Sequence, residues 1–63
     1  MIALLQQVRV TRDLPEQQVA RGMVGAVIDV VDVPTRAYEV EFVDAAGRTV
    51  LQATLTEDTL EVL

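Results

Sequence analysis

Few side chains in this sequence could do chemistry. Glu39 and Glu41 stand two residues apart in Tyr38-Glu39-Val40-Glu41-Phe42. On a β-strand that spacing puts both carboxylates on one face, about 7 Å apart. Such a pair can serve as general acid and base, or hold a hard cation such as Mg²⁺ or Ca²⁺. A cation would need more ligands, and Asp29 is the obvious acid to come from an adjacent strand. The residue types that are missing weigh against both roles. The chain has no His, Cys, Ser, Lys, Asn or Trp. The usual general base, the usual nucleophiles and the Schiff-base amine are therefore absent, and zinc lacks its normal ligands. Glu39 and Glu41 read first as a solvated outer face. No catalytic residue, cofactor or metal is expected, and the chain reads as a non-enzyme.

The remaining charge is acidic. Ten Asp and Glu face five Arg, for a net charge of −5. Phosphate binding depends on clustered cations, so nucleic acid is not an expected ligand. A basic protein partner is compatible with the charge through electrostatic steering, although solubility alone would account for it. Arg9, Arg12, Arg21, Arg36 and Arg48 are expected in cross-strand ion pairs rather than in one patch. The only aromatics, Tyr38 and Phe42, share the face opposite the glutamates. An exposed aromatic platform for bases or proline-rich peptides is therefore not expected.

Sixty-three residues make one domain, 1–63. A chain this short buries only about 60% of its unfolded surface. Without cysteine it has no disulfide to add, which raises the expectation of a protein partner or of self-association. Leu4–Thr11 reads as the first strand, with Val8 and Val10 on one face. Thr11–Arg21 reads as a loop around Asp13-Leu14-Pro15-Glu16, whose Leu14 and Val19 suggest that it folds back and plugs one end of a core. Tyr38–Val43 and Arg48–Leu55 alternate cleanly and are joined by Asp44-Ala45-Ala46-Gly47, with Gly47 at the left-handed position of a hairpin. Thr56-Glu57-Asp58 reads as a single helical turn capped by Thr56, before a last strand over Leu60–Leu63.

Gly22 and Gly25 bracket a turn that leads into Ala26-Val27-Ile28-Asp29-Val30-Val31. Neither face of that run alternates, which predicts a bent strand buried on both sides for part of its length. β-branching and shortness argue against a helix. Asp32–Ala37 is a turn around Pro34. The expected fold is all-β: a small five-stranded SH3-like barrel with a one-turn helix before the last strand. Met1–Leu5, Met23 and Val33 are apolar residues left at ends or turns, either as core caps or as a docking or dimer surface. Met1–Leu5 is too short for a signal sequence, and no run approaches a membrane span, so a cytoplasmic protein is expected.

Several of these segments together resemble a bacterial family of small uncharacterised proteins, catalogued only as a domain of unknown function. They are Asp13-Leu14-Pro15-Glu16, Arg21-Gly22-x-x-Gly25-x-Val27-Ile28, Tyr38–Asp44 and Gly47-Arg48-Thr49. The likeness covers residues 4–63 and departs at Gln17-Gln18-Val19, where family members often carry a glycine. It implies no assigned activity or ligand. Members can lie beside nuclease or toxin genes, which suggests an antitoxin or immunity partner. Gly22-x-x-Gly25-x-Val27 alone also resembles the KOW motif of ribosomal and transcription-elongation proteins, which implies RNA contact. Here Arg21 stands nearly alone and Asp29 and Asp32 follow. The expected function is a non-catalytic interaction module, with a KOW-like nucleic-acid binder or a homo-oligomeric structural protein as alternatives. The candidate interaction residues are Leu14, Arg21, Met23, Asp29, Glu39 and Glu41. Gly22, Gly25 and Gly47 are the expected structural turns.

Overall fold

A computed structural model describes residues 1–32 and 34–63; Val33, one of the apolar turn residues singled out above, lies outside the described residues. Five strands follow in chain order: β1 (Gln7–Val10), β2 (Val24–Val31), β3 (Ala37–Val43), β4 (Thr49–Leu55) and β5 (Leu60–Val62). They form one antiparallel sheet in the order β4-β3-β2-β1-β5. A 3₁₀ turn at Pro15–Gln17 interrupts the β1–β2 connection, and a second at Glu57–Thr59 leads from β4 into β5. The fold is thus of the expected all-β class, with its short turn before the last strand.

The period of two in β3 decides the core. Tyr38, Val40 and Phe42 are buried, while Glu39 and Glu41 face out. The neighbouring strands follow in register: Val27 pairs with Val40, Val40 with Ala53, and Tyr38 with Leu55. Val8, Val10 and Leu60 extend the same apolar face across β1 and β5. The β1–β2 loop folds back as expected. Leu14 and Val19 form a two-way backbone bridge of 2.8 and 3.2 Å, and Val19 enters the core.

β2 departs from the expectation of burial on both sides. Only Gly25 and Val27 are buried, and Ile28 and Val31 are 37% and 38% exposed. The register shifts between Val27 and Asp29, so Ile28 is the extra residue of a β-bulge. The broken alternation reports that bulge. With strict alternation Asp29 would follow Val27 onto the core face. The bulge turns it outward opposite Glu39 and lets Val30 pack against the core.

The glycines also separate. Gly22 (φ +92°) and Gly47 (φ +80°) occupy left-handed backbone that other residues rarely adopt. Gly25 lies inside β2 rather than in the turn, and its role is close approach. The Thr56 hydroxyl does not cap the second 3₁₀ turn; it donates to the carboxylate of Asp58 instead.

Candidate interaction surface

The outer face of the sheet carries the acids. Asp29 on β2 stands opposite Glu39 on β3, which in turn stands opposite Thr54 on β4. Glu41 lies between Ala26 and Gln52. Two threonine hydroxyls orient the glutamates: Thr54 Oγ1 donates to Glu39 Oε2 at 3.0 Å, and Thr49 Oγ1 donates to Glu41 Oε2 at 2.6 Å. Asp29 Oδ1 accepts the backbone N–H of Val30 at 2.8 Å. Among the described residues none of these three carboxylates enters an ion pair.

The arginines lie elsewhere and are mostly taken. Arg9 on β1 donates from Nε and Nη2 to Glu61 Oε1 on β5, at 3.1 and 2.7 Å. Arg12 meets Asp58 at 2.9 Å, Arg36 meets Asp32 at 2.7 Å, and Arg48 meets Asp44 at 3.3 Å. Only Arg9–Glu61 joins two strands, as expected; Arg12 reaches from the β1–β2 loop to the second 3₁₀ turn, and the last two pairs are local to turns. The hydrogen bond to Asp32 is the main reason the Arg36 guanidinium is held above its usual pKa. The hydroxyl of Thr56 is the first cause that lowers the Asp58 carboxyl below its usual range, and Arg12 adds to it. Arg21 has no ion pair among the described residues; its backbone N–H donates to Asp13 Oδ1 at 2.8 Å. With Arg9, Thr11, Gly22, Leu60 and Glu61 it lines a shallow cleft at the β1–β5 end of the sheet.

The candidate residues therefore divide. Asp29, Glu39 and Glu41 come together on one face. Arg21 sits apart in the cleft, and Leu14 and Met23 are half-buried against the core. Among the described residues no group of three or more acids is arranged to hold a metal ion. Two contacts escaped the sequence reading. Ile2, in the Met1–Leu5 run read as a core cap or a docking surface, is buried, and its N–H donates to the Tyr38 hydroxyl at 3.2 Å, which itself donates to Glu57 at 3.1 Å. Gln17 reaches from the β1–β2 loop to donate to the Thr54 carbonyl at 2.9 Å. Only the apolar character of Ile2 and the lone tyrosine hinted at the first, and nothing local marks the second.

Among the described residues no helix is long and apolar enough to cross a membrane. Neither the curated proteins nor the solved structures contain a match to this chain. The family model described as "Domain of unknown function (DUF4926)" matches residues 4–62, and the chain belongs to that family.

Proposed function

We propose that this chain is a non-catalytic protein-interaction module whose acidic sheet face meets a protein with a basic surface. One observation carries the reading. Asp29, Glu39 and Glu41 share a face without a cation, while four of the five arginines are engaged with other acids. Uncompensated charge of one sign steers a partner of the opposite sign and fixes its register. The threonine hydroxyls on Glu39 and Glu41 hold the carboxylates in place before a partner arrives, which lowers the ordering cost of binding. In its finer form the reading is of a small bacterial cytoplasmic protein acting as antitoxin or immunity partner to a nuclease or toxin. Such enzymes handle nucleic acid with basic surfaces that an acidic face can cover. The test is co-expression with the product of the neighbouring gene, followed by affinity purification. Co-purification at low salt that is lost at high salt is expected; failure of the two to associate would count against the reading.

A KOW-like nucleic-acid contact is the second reading, and the cleft favours it. Arg21 beside Gly22 is the one arginine without an acidic partner among the described residues. A single cation offers little against a net charge of −5.

A further inference from the structure

Ala3–Gln6 forms a tight turn just before β1. The Gln6 N–H closes it on the Ala3 carbonyl at 3.3 Å, with Leu4 and Leu5 at its centre. Leu5 N–H donates to the Val27 carbonyl at 2.6 Å, while Val27 N–H donates to the Gln6 carbonyl at 3.1 Å. Leu5 and Gln6 thus both oppose Val27, the pattern of a β-bulge whose first residue is left-handed. Leu5 holds that position at φ +67°. Such a site favours glycine, and Gly22 and Gly47 take the other two left-handed turns. Gln18, the other non-glycine residue with positive φ among the described residues, is polar. Leu5 is apolar and 79% exposed, beside Leu4 at 58%. One residue therefore carries a strained backbone and an apolar side chain in water, and core packing offsets neither. Strain of this kind concentrates where a chain clamps a ligand or partner.

We infer that Leu4 and Leu5 are an apolar anchor that inserts into a pocket of the basic protein partner, beside the acids that steer it. The inference rests on the acidic-face reading and adds the apolar part of that contact. Position and charge select the occupant. The turn is tied to Val27, and Asp29 lies two residues further along β2, within about 7 Å. Ile28, the residue of the bulge, stands between them and is itself partly exposed. Among the described residues Asp29 enters no ion pair. An apolar tip next to such a carboxylate fits a pocket with an apolar floor and a basic rim. A second copy would bring the same acids and a charge of −5, which opposes it. An anionic lipid surface is opposed for the same reason. The carboxylates raise the rate of encounter, and the buried leucines slow release. The left-handed backbone fixes the turn before a partner arrives, which lowers the ordering cost of presenting both leucines.

Leu5→Gly tests the premise without a partner. It relieves the left-handed strain and removes no core residue, so the melting temperature should rise by about 2–5 °C. A melting temperature that stays or falls would show that the fold itself uses the leucine, and would overturn the inference. Leu4→Ser/Leu5→Gly then tests the contact, by isothermal titration against the product of the neighbouring gene. Affinity should fall at least about tenfold at low and at high salt alike, because salt does not screen apolar burial. Glu39→Gln/Glu41→Gln should weaken binding chiefly at low salt. A leucine variant that binds as the wild type does, beside a weakened charge variant, would overturn this inference and leave the acidic-face reading standing. A wild type that does not bind counts against that reading and takes this inference with it. Leucine-dependent sedimentation with phosphatidylcholine vesicles, or a leucine-dependent dimer in light scattering, would also overturn it, by assigning the anchor to lipid or to a second copy.

Discussion

Gly25 and Phe42 compete for one volume. A β-carbon at position 25 would stand 2.9 Å from Phe42 Cδ1, 2.8 Å from Val40 Cγ1 and 2.6 Å from the Glu41 carbonyl oxygen. The last of these is backbone and cannot step aside. Gly25→Ala should therefore destabilise the domain by about 1–3 kcal/mol, as overpacking does. In a chain of this size that lowers the melting temperature by roughly 4–8 °C per kcal/mol. A melt followed by circular dichroism checks it, and an unchanged transition would contradict the close packing of β2 on β3.

Tyr38 supplies the second stability prediction. Its buried hydroxyl accepts from Ile2 N–H and donates to Glu57. Tyr38→Phe leaves the ring packed but orphans a backbone donor beside the core. The expected loss is about 1–3 kcal/mol. Ile2→Ala should cost about 2–5 kcal/mol through its cavity. Urea titrations of the two variants give both values.

Acid should weaken the fold partly through Asp58. Its carboxyl is held below the ordinary range, first by the Thr56 hydroxyl. A carboxyl with a depressed folded-state pKa contributes stability above its unfolded value, about 3.9. That contribution fades as pH falls through the lower, folded value. Melting temperature measured from pH 5 to 2 should fall more steeply in the wild type than in Thr56→Val, where the main cause of the depression is gone.

Binding of labelled RNA or DNA is expected to be undetectable even at about 50 mM salt, where phosphate contacts are strongest. Arg9, Arg12, Arg36 and Arg48 are already engaged by acids. Fluorescence anisotropy decides the matter, and a salt-sensitive complex lost in Arg21→Ala would revive the KOW-like reading.

What could be read from the sequence was what alternates. Tyr38–Val43 announced its own core face, and Gly47 announced its turn, because period two and a left-handed glycine are local properties. β2 was harder. A bulge at Ile28 and burial on two sides both erase alternation, and only the pairing with β3 tells them apart. Gly25 could not be told from a turn glycine, since the atoms that exclude its side chain lie 15 to 17 residues further along. Glu39 and Glu41 could be placed on one face from their spacing, with Asp29 as the acid of an adjacent strand, but Asp29 reaches that face only because of the same bulge. The Gln17–Thr54 and Ile2–Tyr38 contacts join residues 37 and 36 positions apart, with no motif at either end.

The proposed role rests on the uncompensated carboxylates of the outer face, and parallel capture from native lysate tests it most directly. Wild type and Glu39→Gln/Glu41→Gln would be immobilised at equal density and washed at low and at high salt. Both substitutions keep size and hydrogen-bonding shape, so the domain should melt as the wild type does. A basic protein retained by the wild type at low salt, released at high salt and absent from the double variant is the predicted result. The same proteins recovered in equal amounts on both surfaces would contradict it.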